Sequence, residues 1–252
     1  MPYRKEQFVN GEIYHIVIKR VADEILFEDI DDYYRGIFSI YEFNNVKPVE
    51  IRKRREQIRA IKKQLKKISG DPVSANSTEF LIKIPDTRDP LIEILFFCFM
   101  PNHIHLVLRQ LKGGGIIKFM NKIGAGYAGY FKRKHGLKDR GYFFKGRFTV
   151  VHINSEEQFK NVFAYIHTNP ISLIEPKWKE VGIKNPEKAI KFVEGYKWSS
   201  YPDYIGKKNF PSVTERGLVL KIMGGEKGCK DFVEYWIRYK GKIREFAELA
   251  LE

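Results

Sequence analysis

Residues 92–99 read IEILFFCF, apolar on both alternating faces, and after Met100 the chain turns at Pro101-Asn102 into His103-Ile104-His105-Leu106-Val107-Leu108. A short run that is apolar on both faces suits a strand covered on each side, so a central strand is expected here. Pro-Asn is turn chemistry, so the two runs form an antiparallel hairpin at the middle of a sheet. Side chains alternate along a strand, which points His103 and His105 one way and Ile104, Leu106 and Leu108 the other. Two imidazoles about 6.6 Å apart on one face can converge on one metal ion, with an aliphatic core behind them and the metal side open to a substrate. For this pair alone, the other reading is two polar residues on the solvated face of a half-buried strand.

The remaining elements follow from periodicity. Ile13–Arg20 alternates weakly and reads as a first strand. Tyr33, Ile37, Ile40 and Tyr41 recur at helical spacing behind Asp29–Asp32, an acidic run that suits a helix N-terminus. A second helix is predicted from about Ile51 to Ile68, with nine basic residues between Arg52 and Lys67. It has three readings: along a phosphate backbone, along an acidic membrane surface, or a solvated insert, the simplest of them. Phe80–Ile84 is a short possible strand. Gly113-Gly114-Gly115 ends the histidine strand without the lysine or the spacing of a nucleotide-binding loop. Ile116, Met120, Ile123, Tyr127 and Tyr130 mark a helix running to about His135, and Phe144–Ile153 reads as another strand. Ser155 and Gln158 make a capping box ahead of a helix buried through Phe159, Val162, Phe163 and Ile166, which Pro170 stops near Asn169. Tyr165 falls on the flank of that helix, with Asn169 one turn further along the same flank. His167 is placed at the surface, and His15 and His152 stand in strand-like runs without partners. The order β-α-(insert)-β-β-α-β-α implies an α+β fold, with helices packed on an antiparallel sheet.

Charge adds a partner. Net charge is +14, yet residues 1–50 carry 10 acidic against 6 basic side chains, while 118–148 carry nine Lys or Arg against Asp139 alone. Tyr127, Tyr130, Phe131, Tyr142, Phe143, Phe144 and Phe148 interleave with them. Basic side chains neutralise phosphates and aromatic faces stack on unpaired bases, so single-stranded or distorted nucleic acid is the expected partner. Lys118, Lys122, Lys132, Arg133, Lys145 and Arg147 are the candidate contacts. Apolar residues at 43 % suffice for one large domain or a domain with an appendage. The longest apolar run, Ile94 to Met100, is too short to span a membrane, and the N-terminus lacks the apolar middle of a secretory signal. Cys98 and Cys229 are expected to be free thiols, and the protein cytoplasmic.

The motifs combine into something specific. Phe99-Met100-Pro101-Asn102-His103-Ile104-His105-Leu106, Lys145-Gly146-Arg147-Phe148, Tyr165-Ile166-His167-Thr168-Asn169-Pro170 and Trp198-Ser199-Ser200-Tyr201 together resemble the single-tyrosine HUH transposases. The closest likeness is to their domesticated branch, the REP-associated tyrosine transposases. Order and spacing match from about Gly11 to Gly206, and the Leu218–Tyr239 helices are similar to that branch's C-terminal extension. The resemblance implies a ferredoxin-like or RRM-like antiparallel sheet in residues 1–206, with a basic helical insert at about 47–89, and a C-terminal helical extension over 207–252. It implies His103 and His105 as ligands of Mg²⁺ or Mn²⁺, Asn169 in the position of the third ligand and Tyr165 as nucleophile. Relatives commonly carry a bulky apolar residue at the Thr168 position, and their connection into the hairpin is often shorter, so the likeness is weakest in the insert.

The implied activity is a metal-dependent single-strand DNA endonuclease and strand transferase acting on hairpin-bearing DNA in the nucleoid, as a monomer or homodimer. It would leave a 5′-phosphotyrosine and a free 3′-hydroxyl, conserving bond energy without a nucleotide cofactor. Two other readings remain open at this point: a non-catalytic binder or repressor of structured DNA or RNA, and a phosphodiesterase using water.

Overall fold

The computed structural model describes residues 7–51, 53, 56, 59, 60, 63, 86, 88–137 and 141–240. Its sheet is built from β1 (Ile13–Lys19), β2 (Ile92–Met100), β3 (His103–Gln110) and β4 (Thr149–Ile153), in the order β2-β3-β1-β4. All three pairings are antiparallel. Helix α1 (Ile30–Glu42) precedes β2, and α2 (Gly115–Lys134) joins β3 to β4. This β-α-β-β-α-β order with interleaved strands is the ferredoxin-like arrangement that the family resemblance implies.

Both faces of the sheet are covered. Ile16, Ile18, Leu106 and Leu108 meet Ile37 and Ile40 of α1 and Ile116, Met120 and Ile123 of α2 in one buried cluster. The close approach of these helices needs glycine: a Cβ on Gly126 would lie 2.3 Å from the Phe43 ring. On the other face, Phe96, Cys98, Met100 and Val107 pack against α3 (Glu156–Thr168). Beyond a 3-10 turn at Asn169–Leu173 come α4 (Trp178–Val181), α5 (Pro186–Gly195), α6 (Tyr201–Tyr204), α7 (Arg216–Met223) and α8 (Gly225–Tyr235). Val219, Met223, Cys229 and Val233 of α7 and α8 join the core around α3.

Two expectations change. The apolar run of β2 is not central: β2 is the edge strand of the named sheet. It is buried because residues 198–200 run along its outer side, with Phe99 N–H donating to the Trp198 carbonyl (2.8 Å) and Ser200 N–H to the Phe97 carbonyl (3.0 Å). A covered edge needs the same apolar sequence as a central strand. A bulge between Ile94 and Phe96 shifts the register, so Ile94 faces α1 and α2 while Leu95 and Phe96 both face α3. The strand predicted from Phe144 begins at Thr149; Phe144 makes only an isolated bridge to Arg20.

Of the helix predicted over 51–68, Ile51, Lys53, Glu56, Arg59, Ala60 and Lys63 are helical; its remainder and the strand predicted at 80–84 lie outside the described residues. Asn44 pins the root of this insert, its Oδ1 accepting from Leu91 N (2.9 Å) and Ile92 N (3.1 Å) and its Nδ2 donating to the Ile92 carbonyl (2.8 Å). Among the described residues, no helix is long and apolar enough to cross a membrane.

Candidate active site

Strand β3 opens on the first histidine, and its pairing with β1 sets Lys19 opposite His103, Val17 opposite His105 and His15 opposite Val107. Alternation therefore puts His15, His103 and His105 on one face, the face that α3 covers. His103 Nε2 lies 3.0 Å from His105 Nε2, and Asn169 Nδ2 lies 2.9 Å from that same His105 nitrogen. The other nitrogen of each ring is also engaged: His103 Nδ1 is 2.7 Å from Asn102 Oδ1, and His105 Nδ1 is 3.0 Å from His15 Nε2. The expected open metal side is in fact closed, with His105 fully buried and His103 only 8 % exposed. The C-terminal end of α3 lies over it.

Two nitrogens each about 2.1 Å from a six-coordinate ion, at right angles, stand about 3.0 Å apart. The His103–His105 spacing fits that requirement, and the Asn169 amide brings a third donor when its oxygen is turned inward, an assignment set by the hydrogen-bond partners.

Tyr165 sits one helical turn before Asn169, and Ser155 caps the start of the helix that carries both by accepting from Gln158 N–H (3.1 Å). The Tyr165 ring is edge-on to His105 at 5.9 Å and to His15 at 6.4 Å. Its flank position proves to be buried, at 4 % exposure, because α3 is sandwiched between the sheet and the C-terminal helices. Its hydroxyl accepts a hydrogen bond from Lys179 Nζ at 3.4 Å, and the same ammonium stands 5.1 Å over the ring. At the Thr168 position the hydroxyl is satisfied within the helix, donating to the Ala164 carbonyl at 2.8 Å.

His167 is not at the surface. The sandwich buries it completely, with Nε2 3.1 Å from Ser200 Oγ and its ring against Phe163, and this burial pushes its pKa down to about 3. Nor are His15 and His152 without partners: His15 belongs to the site, and His152 lies 2.7 Å from Glu12. Strand alternation in β1 could have found His15, given the pairing of β1 with β3. Lys179 comes from α4, a single helical turn in a stretch whose sequence carries no periodic pattern.

The six basic candidates do not form one patch. Lys145 and Arg147 are exposed on the loop before β4, and Lys145 N–H donates to the Lys19 carbonyl (2.9 Å), opposite His103. Arg133 is exposed near the C-terminal end of α2. Lys132 donates to the Gly141 carbonyl (2.8 Å) and Lys122 to the Lys47 carbonyl (2.9 Å), tying down neighbouring chain. Lys118 is exposed in the first turns of α2. Asp29, Asp32 and His135 also lie close enough to share a cation. That role is already filled by Lys134, whose Nζ is 2.5 Å from Asp29 and 2.9 Å from Asp32.

A family model described as "Transposase IS200 like" matches residues 58–169, from within the insert to Asn169. That span is similar to the IS200-like transposases. The IS200-like span holds His103, His105, Tyr165 and Asn169, while His15 and Lys179 lie outside it on either side. Among solved structures, a REP-associated tyrosine transposase bound to a REP hairpin is similar, at 11 % identity and a TM-score of 0.43, over 86 % of this chain and 96 % of that one. No curated protein matches the chain.

Proposed function

We propose that this protein is a metal-dependent single-strand DNA endonuclease and strand transferase that acts on hairpin-bearing DNA through Tyr165. The observation that carries this reading is a convergence within one chain: two histidine nitrogens 3.0 Å apart, the Asn169 amide at 2.9 Å, and Tyr165 one turn away on the same helix. A divalent ion, Mg²⁺ or Mn²⁺, held by His103, His105 and Asn169 would supply positive charge to a non-bridging phosphate oxygen.

In cleavage, Tyr165 Oη forms a bond to phosphorus and the P–O3′ bond breaks. The phenolic proton passes to solvent, and the departing 3′-oxygen takes a proton from solvent. Lys179 favours the phenolate as it develops, since its ammonium already points at Oη. In rejoining, a 3′-hydroxyl attacks the phosphotyrosine, and the same ammonium stabilises the phenolate that leaves. One phosphodiester replaces another, so no nucleotide cofactor is required. Tyr165 and His105 are buried, so the scissile phosphate reaches them on local opening of the site. Exposed Lys145 and Arg147, with Tyr142 at 90 % exposure, offer charge and a stacking face for an unpaired strand.

The test is a trapped covalent complex. Tyr165→Phe removes one oxygen and keeps the ring packing, so folding and DNA binding persist while the adduct disappears. A nucleotide mapped to any other tyrosine, or cleavage persisting in Tyr165→Phe, overturns the mechanism.

A further inference from the structure

We infer that His15, on β1, is a positioning residue that fixes the tautomer of His105 for metal binding. This inference rests on the metal-site reading proposed above. An imidazole has two nitrogens, and in its neutral form one carries the proton while the other offers a lone pair. For His105 both are accounted for. Nε2 is the inward nitrogen, 3.0 Å from His103 Nε2 and 2.9 Å from the Asn169 amide. Nδ1 is the outward nitrogen, 3.0 Å from His15 Nε2, with both rings fully buried. If His15 Nε2 accepts, the His105 proton sits on Nδ1 and the Nε2 lone pair faces inward. If His15 Nε2 donates, the proton moves to Nε2 and blocks the metal.

Metal binding through His105 Nε2 requires the first arrangement. His103 is built the same way, with its Nδ1 2.7 Å from the Asn102 side-chain oxygen Oδ1, an acceptor that places the proton on Nδ1 and the lone pair on Nε2. The turn bearing Asn102 is itself held, its carbonyl accepting from Arg20 N–H (3.2 Å) and the Pro101 carbonyl from Leu26 N–H (2.6 Å). Two acceptors behind the rings thus aim two lone pairs at one point from 3.0 Å apart. Such a pair repels unless a cation lies between them. Outer partners of this kind change metal affinity by about 10- to 100-fold when removed.

The experiment uses the full-length protein with ¹⁵N-labelled histidine, saturated with diamagnetic Mg²⁺ and free of DNA, at about pH 8.5, above the ordinary imidazole pKa of about 6.5. Long-range ¹H–¹⁵N correlation should show His105 as the Nδ1–H tautomer. In His15→Ala that signature should be lost, and Mn²⁺ affinity by calorimetry should fall about 10- to 100-fold. His15→Gln, whose amide oxygen can accept from Nδ1–H, should restore most of both. An Nε2–H tautomer of His105 in the wild type, unchanged Mn²⁺ affinity in His15→Ala, or no Mn²⁺ binding by the wild type overturns the inference. Should His15→Ala not fold, the wild-type spectrum and His15→Gln decide it. Neither readout uses DNA, so failure to form a covalent adduct sinks the proposed reaction and leaves the role of His15 to be judged separately.

Discussion

Lys179 reaches Tyr165 across a gap of fourteen residues, and its contact is with the hydroxyl oxygen proposed to react. A hydrogen bond to a charged group contributes about 1.5–3 kcal/mol. At 3.4 Å the lower end applies, and about 1.4 kcal/mol is a tenfold change in rate. Lys179→Ala should therefore slow covalent adduct formation about tenfold with little change in DNA affinity, and Lys179→Arg should keep most of the rate. Single-turnover assays resolved on denaturing gels separate the two quantities; wild-type adduct rates in Lys179→Ala would remove the residue from the mechanism. At this scale the sequence was uneven as a guide. His103, His105, Tyr165 and Asn169 stand at local spacings, two along a strand and four along a helix; spacing put each pair on one face, and their roles came from the family resemblance. His15 needed the register of β1 on β3, and Lys179 needed the path of the chain after Pro170, neither of which is a local property.

At the scale of elements, the same distinction separates what was legible from what was not. The antiparallel hairpin, the capped helix α3 and the long helix α2 follow from turn chemistry, capping and periodicity. The edge position of β2 does not, because a strand covered along its side by residues 198–200 has the composition of a central one. The surface placement of His167 failed for a related reason: the second half of α3, residues 161–168, is packed on every side and has no exposed flank. The root of the insert offers a test of long-range closure. Asn44 is 7 % exposed, and its three hydrogen bonds join the end of α1 to the start of β2 across the whole insert. Asn44→Ala leaves buried backbone groups of Leu91 and Ile92 without their partner, at a cost of about 2–4 kcal/mol from groups that each cost 1–3 when unsatisfied. Denaturant titration should show a lowered midpoint with an unchanged slope. A midpoint equal to wild type would mean that the insert closes without this anchor.

For the molecule as a whole, a sheet packed on both faces has two consequences, one for the core and one for the surface. Cys98 and Cys229 both lie in the core around α3, where burial pushes the Cys229 thiol up to about 12 and the Cys98 thiol well above its ordinary range. Neither should react with iodoacetamide in the native state at mild alkaline pH, and both should react after denaturation; rapid native labelling would contradict the packing. On the surface, the helices shift basic residues away from one another. His103 opens β3, and Lys118 lies beyond its far end, past Gln110. Seven steps at about 3.3 Å put some 23 Å between the two ends of that strand. Lys145 instead hydrogen-bonds the backbone of Lys19, opposite His103. If DNA is held where the chemistry is proposed, each lost phosphate contact should flatten the log–log salt dependence by about 0.7 on single strands. Lys145→Ala and Arg147→Ala should each show that change on a hairpin with single-stranded flanks, and Lys118→Ala should leave the slope as it was. A slope altered by Lys118→Ala and unaffected by the other two would place the DNA on the opposite end of the sheet, away from Tyr165.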